Sequence, residues 1–390
     1  MNHYNEALLQ QDAAANGGRP YQQCSLSVMD TIADPNITFD DKGISSYYYE
    51  YLEAEKIHTL SGAAATQKIE EWVGILKKAG EGKPYDCMLG VSGGVDSTYL
   101  ALCAKRLDLR VLCVHFDNGW NSELAVQNIE NIVSKCGFDL YTYVINWPEF
   151  KDIQLAYFKA NVIDIEAVTD VAIFACLDKI CAEHKLKYIL DGRNVWTEET
   201  LPKAWINKDP GNLRNIHQAF GTIPLKSYPL QSRTKRAVQQ LNKSYISVPL
   251  LNYMVYDKPK AKAEIIAELG WRDYGGKHYE SVFTRFYQGY ILPEKFKVDK
   301  RKAHLSNLIF AGQMTKAEAL AELQKPIYPP AQLAEDKPFV LKKLGFSEAE
   351  FEAYLSAPAV PHSHYGSSRA LTEDYPILKL FRPIKNLLTR

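Results

Sequence analysis

The stretch at positions 86–107, DCMLGVSGGVDSTYLALCAKRL, restricts the fold of this chain more than any other. Cys87, Met88, Leu89 and Val91 form an apolar run too short for a helix. It stops at Ser92-Gly93-Gly94, so it reads as a buried strand entering a tight turn. Asp96 or Ser97 then caps a helix whose apolar residues Leu100, Cys103, Ala104 and Leu107 recur at helical spacing. Paired glycines let a backbone approach a ligand with no β-carbon in the way, and a helix start behind them offers unpaired N–H groups with partial positive charge. A phosphate site is therefore predicted at this turn. Its spacing is neither that of the Walker loop, which also needs a lysine, nor that of the dinucleotide GxGxxG fingerprint.

The strand-helix pattern repeats downstream. Positions 110–116 (RVLCVHF), 139–145 and 188–190 read as further strands. A helix from Ser122 turns Ala125, Ile129, Ile132, Val133 and Cys136 inward, and one near 170–184 buries Ile173, Phe174, Leu177, Ile180 and Cys181. This alternation specifies an α/β fold, an open parallel sheet with helices on both faces and ligands at the carboxyl ends of its strands. Before it, residues 1–20 read as a polar arm. Turns at Asp34-Pro35-Asn36 and at 40–43 enclose a short strand at 37–39 in a small hairpin module, ahead of the crowded Tyr47, Tyr48, Tyr49 and Tyr51. A helix over 65–78 places Ile69, Trp72, Val73 and Leu76 on one face. After residue 257 the strand signals fade, and helices near 261–269, 316–323 and 347–355 alternate with proline-rich stretches at 326–330 and 358–361, a C-terminal helical extension. The expected division is 1–64, 65–256 and 257–390.

Lys+Arg and Asp+Glu balance at 46 each, so the chain lacks the overall field of a nucleic-acid binder. Within 226–305, however, 16 basic residues face 7 acidic ones, which predicts an anionic ligand there. No run of 18 apolar residues and no signal-peptide layout is visible, so no membrane contact and a cytoplasmic location are expected. The cysteine count, seven, is odd, and Cys87, Cys103, Cys113 and Cys181 fall in apolar segments, as reduced core thiols do.

The pattern SGGxDS at 92–97 resembles the PP-loop of the N-type ATP pyrophosphatases, which have an adenine nucleotide alpha-hydrolase-like fold, split ATP between its α and β phosphates and transfer the adenylyl group to a substrate oxygen. The resemblance implies that Ser92, Gly93, Gly94 and Ser97 cradle pyrophosphate and that Asp96 holds Mg²⁺. In such a sheet the end of the second strand lies beside the adenine, which the backbone of Val114 and Phe116 would pair, with His115 at the rim. Gly192 and Asn194, after the fourth strand, fall on the α-phosphate side. Trp120, Asn121 and Glu198 follow these strand ends and are candidates for the second substrate.

Longer motifs sharpen the resemblance. VSGGVDSTYLA, HFDNGWNSELAVQNIENIV, NVWTEETLPKAW, IHQAFG and GGKHYESVFTRFYQGYILPEKFKVDKRKAHLSNLI, collinear over 20–320, are similar to the N-acetyl sugar amidotransferase family. Its members serve bacterial O-antigen and nonulosonic acid pathways and turn an acetamido group into an acetamidino group. This implies ATP and Mg²⁺, a nucleotide-linked N-acetyl sugar such as a UDP-linked diacetamido uronic acid, and a separate glutaminase with a cyclase-like partner. Family members commonly carry a cysteine metal knuckle near the N-terminus. The corresponding positions here are Cys24, Ser27, Ser45 and Tyr48, and one thiolate cannot hold a four-coordinate zinc, so no structural zinc is expected.

The chemistry explains the need for ATP. An amide oxygen is a poor leaving group until adenylylation makes it a phosphate ester, after which ammonia can displace AMP. Positioning and charge stabilisation dominate such a step. Among the basic residues, Lys300, Arg301 and Lys302 are candidates for a clamp on the phosphates. Lys277, His278, Glu280 and Arg285 are candidates for the sugar, its diphosphate or proton removal from ammonium. Position 2 is Asn and no cysteine sits in a G-x-C-x-G elbow, so ammonia is expected from solution or from another protein. The competing sequence readings are another adenylylating PP-loop enzyme, a tRNA thiolase or an argininosuccinate-type ligase, and a non-catalytic ATP-binding module.

Overall fold

The apolar runs assemble into one sheet. In a computed structural model, which describes residues 19–230, 245–276 and 279–367, β1 (Cys87–Gly90), β2 (Val111–Asp117), β3 (Asp139–Val144), β4 (Tyr188–Leu190) and β5 (Ile246–Val248) are all parallel, in the order β3-β2-β1-β4-β5. The order reverses direction between β1 and β4. That switch point opens a crevice at the carboxyl ends of these two strands.

Helices cover both faces, as the strand composition requires. On one face Cys87, Leu89, Val111, Cys113 and Leu190 pack with Leu76 of α2 (Gly62–Ala79), with α3 (Val95–Arg106), with Ile129 and Ile132 of α4 (Glu123–Cys136), and with Ile265 and Leu269 of a later helix. On the other, Met88, Leu112, Val114 and Ile189 meet Cys176, Ile180 and Cys181 of α6 (Ala167–Glu183). A third core lies off the sheet. It joins Met29, Ile37 and Tyr47 of the N-terminal module, the last on α1 (Ser46–His58), to α5 (Trp147–Ala160), the first half of α6 and C-terminal aromatics such as Phe283, Phe286, Tyr287 and Phe351.

Some elements depart from the sequence expectation. Helix α5 went unpredicted because Phe150, Ile153, Ala156, Tyr157, Phe158 and Ala160 are all buried and surround it, leaving no one-sided stripe; Asn146 caps it by accepting from the Glu149 N–H. In α6 Phe174 is 38% exposed, and the more deeply buried positions are taken by smaller residues, Val168, Val171, Ala172, Ala175 and Cys176. Strand β5, only three residues long, was also missed. So were α7 (Val195–Glu198) and α8 (Pro210–Phe220).

The C-terminal region is helical, as expected: α9 (Lys258–Leu269), α10 (Val282–Phe286), a π-turn over Tyr287–Ile291, α11 (Leu292–Phe296), α12 (Arg301–Phe310), α13 (Lys316–Leu323), α14 (Pro330–Leu344) and α15 (Glu348–Ser356). The prolines at 329–330 start α14 instead of separating helices, Pro330 taking a first-turn position where its missing N–H has no intrahelical partner to lose.

The N-terminal module holds two antiparallel bridges, Gln23 to Asp30 and Phe39 to Ser45. It is fastened to α12 by a buried ion pair between Lys302 and Asp30 and by the Val28 N–H donating to Ser306 Oγ at 3.2 Å. At the knuckle positions, Cys24 is buried and its Sγ accepts from the Ser45 N–H at 3.3 Å; burial pushes the thiol up, but hydrogen bonds from Ser27 and Ser45 outweigh it and hold the thiol below its ordinary range.

Candidate functional site

The turn after β1 is the centre of the crevice. Gly93 sits at φ +81°, left-handed backbone that suits glycine, and a β-carbon there would lie 2.7 Å from the Tyr274 hydroxyl and 3.1 Å from the Ala125 carbonyl oxygen. Its carbonyl accepts from Trp271 Nε1 at 2.7 Å and from the Tyr274 hydroxyl at 3.0 Å, so the segment after α9 pins the turn from outside. Helix α3 follows with Gly94 as its N-cap and no side chain capping it, which leaves first-turn N–H groups without intrahelical acceptors. The Ser92 hydroxyl occupies the mouth: Gly94 donates to it at 3.2 Å, and Ser97 Oγ lies 3.3 Å away. Ser97 Oγ also donates to the Gly94 carbonyl at 3.2 Å, so one backbone N–H and two hydroxyls meet at a positive helix end, the arrangement that accepts a phosphate oxygen.

The neighbouring strand ends close round this point. A β-carbon on Gly192, after β4, would lie 3.7 Å from the Ser97 nitrogen, which puts that loop against the start of α3. Asn194 is buried and caps α7, accepting from the Thr197 N–H at 3.0 Å; its side chain is a structural cap. On β2 the Val114 carbonyl already accepts from the Val91 N–H at 2.8 Å, while the Asp117 carbonyl faces the β3 side and accepts from Ile145. Strand alternation directs the Phe116 backbone back toward β1, past the point where β1 has turned away. Of the two predicted pairing residues, Phe116 is therefore the one whose backbone faces open crevice. His115 is buried, with Nδ1 3.1 Å from the Val91 carbonyl and Nε2 3.0 Å from Asn121 Nδ2. A carbonyl accepts and an amide N–H donates, so the ring is the neutral Nδ1–H tautomer.

Asp96, in the first turn of α3, accepts from the Tyr256 hydroxyl on Oδ1 and has Lys258 Nζ 3.8 Å from Oδ2. Burial, then the adjacent carboxylate, pushes the Tyr256 phenol well up, so it stays a donor. Glu280 reaches the same turn from the C-terminal region. Its backbone carbonyl accepts from the Ser122 N–H at 2.9 Å, Ser281 bridges Asn121, and a β-carbon on Gly94 would lie 3.5 Å from Glu280 Oε1.

Several predicted residues do other work. Trp120 is buried; its Nε1 donates to Gln154 at 3.0 Å and its ring packs on Trp147 and Phe283, which makes it core. Arg285 makes a paired contact with Asp336 at 2.6 and 2.7 Å. Arg301 grips Asp299 and donates to the carbonyls of Glu322, Leu323 and Lys325 at the end of α13, acting as a helix cap and not as a phosphate clamp. Lys302 is buried against Asp30. Lys300 lies 3.8 Å from Glu166 Oε2 and over the Tyr287 ring at 5.7 Å, in a second polar cluster with Gln288. Among the described residues, Arg285, Lys300, Arg301 and Lys302 of the basic stretch at 226–305 are thus taken up in separate internal pairings. Glu198 ends α7. Lys277 and His278 lie outside the described residues.

Sequence reasoning missed Tyr256, Lys258, Trp271 and Tyr274. The last two bond to Gly93 from about half the chain length away, a pairing no local pattern encodes. Among the described residues no three His, Cys, Asp or Glu side chains converge as a metal cage. A metal at Asp96 would have one carboxylate and the nucleotide's own oxygens as ligands, the mode that suits Mg²⁺. No helix among the described residues is long and apolar enough to cross a membrane.

Comparison with known proteins bears on the C-terminal half of this site. Residues 280–380 match the family described as the C-terminal domain of LPS biosynthesis protein WbpG-like proteins. The chain is 24% identical over 271 residues, 67% of its length, to the uncharacterized protein MJ1599 of Methanocaldococcus jannaschii, of which the match covers 80%. A solved structure, NMN synthetase from Francisella tularensis, aligns over 54% of this chain and 96% of that one at 13% identity, with a TM-score of 0.29; the fold assignment here rests on the sheet itself. The segment carrying Glu280, Arg285 and Lys300 is thus similar to the C-terminal domain of proteins of lipopolysaccharide biosynthesis.

Proposed function

We propose that this chain is an ATP-dependent enzyme of surface-polysaccharide biosynthesis that forms AMP and pyrophosphate, adenylylating the acetamido oxygen of a nucleotide-linked N-acetyl sugar and replacing it with ammonia to give an acetamidino sugar. The observation that carries the reading is the turn at 92–97, where uncapped helix N–H groups and two serine hydroxyls converge beside a carboxylate at the switch point of a parallel sheet. The similarity of residues 280–380 to a lipopolysaccharide-biosynthesis domain supports the substrate class.

In this reading the turn binds the β and γ phosphates, the Phe116 backbone pairs the adenine and the α-phosphate lies between Gly192 and the start of α3. The acetamido oxygen attacks Pα, and ammonia then adds to the activated carbon and expels AMP. Magnesium bound through Asp96 would neutralise charge on the phosphates. Glu280, whose Oε1 would lie 3.5 Å from a β-carbon on Gly94, is the group proposed to accept the proton that the attacking ammonia loses.

Ammonia comes from outside the chain, from a glutaminase and its cyclase-like partner. In support, burial pushes the thiols of Cys103, Cys113, Cys176 and Cys181 up to about 12 and that of Cys136 to about 11, so none of these five is set up as a nucleophile, and Cys24, whose thiol is held below its ordinary range, is wholly buried in the N-terminal module. The test is the fate of the acetamido oxygen. With ¹⁸O in that group, ATP and ammonium, the label is expected in the phosphate of AMP; label retained in the sugar product contradicts the reading.

A further inference from the structure

We propose that Trp271 and Tyr274 are positioning residues that lock the peptide plane between Gly93 and Gly94, so that the Gly94 N–H faces the phosphate; the inference rests on the adenylyl-transfer reading above. In a trans peptide the C=O of one residue and the N–H of the next point in opposite directions. The Gly93 carbonyl is drawn outward by two donors, Trp271 Nε1 at 2.7 Å and the Tyr274 hydroxyl at 3.0 Å. On the opposite edge of the same plane the Gly94 N–H donates to Ser92 Oγ at 3.2 Å, at the mouth of the turn.

The glycine pair makes such a lock necessary. Two adjacent residues without β-carbons open the backbone to a ligand, but glycine takes positive and negative φ about equally, so the peptide between them has little steric preference for one face. Turned over, it would present a carbonyl oxygen to the phosphate and repel it. It would also take the acceptor away from two donors, one of them on Trp271, which is 2% exposed, and a buried donor left without an acceptor is costly. Donation into the Gly93 carbonyl polarises the amide as well, which strengthens its N–H toward charge developing on the phosphates.

Both donors are held in their turn. Asn128 of α4 donates from Nδ2 to the Arg272 carbonyl at 2.8 Å and accepts the Arg272 N–H on Oδ1 at 2.9 Å, and Asn131 donates to the Gly270 carbonyl at 3.0 Å. Gly270 ends α9 in the left-handed conformation, at φ +66°, and so turns residues 271–274 against α4. The rings of Trp271 and Tyr274 meet edge to face at 5.6 Å. Burial pushes the Tyr274 phenol up, so its hydroxyl stays a donor.

The test is calorimetric, on the full-length chain, with inorganic pyrophosphate and magnesium as one ligand and adenosine, which carries no phosphate, as the other. Trp271→Phe and Tyr274→Phe each remove one donor and keep a ring. Each is expected to weaken pyrophosphate binding about threefold, because the remaining donor still holds the carbonyl, and the double variant about thirtyfold, beyond the product of the singles. Adenosine affinity is expected to stay within about twofold of wild type in all three, whereas general damage to the fold would weaken both ligands. A double variant no weaker than the product of the singles, or one that loses both ligands equally, overturns the lock. If the double variant does not fold, Tyr274→Phe decides: with ¹⁵N-glycine labelling the Gly94 amide proton resonance is expected to move upfield as its carbonyl loses a donor, and an unmoved resonance overturns the lock. A wild-type chain that binds neither ligand, or cuts ATP to ADP, overturns the underlying reading, an outcome separable from the others because it shows without any variant.

Discussion

At the scale of single residues, the site depends on Gly93 more than on its neighbour. An L-residue at left-handed φ costs on the order of 1–2 kcal/mol, and the added carbon would press on the Ala125 carbonyl, which cannot give way as a side chain can. Gly94, at φ −69°, would meet only side-chain atoms within 4 Å, the Ser92 hydroxyl at 3.2 Å and the Glu280 carboxylate from 3.5 Å. Gly93→Ala is therefore expected to bind ATP about tenfold more weakly than Gly94→Ala in a calorimetric titration; equal affinities would contradict the strained turn.

Asp164 gives a second residue-scale prediction. It is buried beside Tyr157 and accepts from the Asn207 N–H at 2.7 Å, and burial pushes its carboxyl up to about 7. The folded chain then binds the proton more tightly than the unfolded one, so this group's contribution is fully present below about pH 4 and is lost as pH rises toward about 7. That loss amounts to on the order of 4 kcal/mol. Asp164→Asn, which mimics the protonated acid, should flatten the pH dependence of denaturant midpoints over this window relative to wild type. Parallel curves for the two proteins would show that Asp164 does not titrate there.

At the scale of elements, the contiguous unit was legible in the sequence and the remote one was not. Strand β1, the glycine turn and α3 are encoded within 20 residues by an abrupt change of period, and β2 and β4 by continuous apolar runs. Helix α5 was invisible because it is buried over most of its circumference, and β5 because three residues carry no period. At the candidate site, Ser92 to Ser97 come together by adjacency, whereas Arg285 and Arg301 are held by Asp336 and Asp299; charge alone does not tell a clamp from a helix tie.

The helix through Val282–Phe286 and Leu292–Phe296 widens to a π-turn just before Pro293, where the proline has no N–H to give the regular ladder. Arg285 fastens that helix to α14 through Asp336, which also accepts from the Tyr328 hydroxyl. Arg285→Met leaves a buried carboxylate without its cation and is expected to cost about 3–5 kcal/mol of stability in urea unfolding, with ATP affinity of the folded fraction within twofold. Unchanged stability with lost turnover would return Arg285 to the substrate site.

At the scale of the molecule, the site is a seam. The sheet supplies the phosphate turn and the strand ends, while the segment after α9 pins the turn and the stretch at 279–282 lays Glu280 across it. The off-sheet core joins the N-terminal module, α5 and the C-terminal helices into one apolar body on which Phe116 at the end of β2 also packs, so the stretch after Glu280 is held to the strand ends by packing that spans nearly the whole described chain. The proposed reaction needs both, so that ATP is opened at Pα by an acceptor and not by water.

The position of the cut in ATP tests this most directly. With ATP labelled at the α-phosphate, an acetamido nucleotide-sugar, ammonium and magnesium, separated products are predicted to carry the label in AMP, with unlabelled pyrophosphate released in equal amount. Label recovered in ADP, with free orthophosphate, would contradict the account.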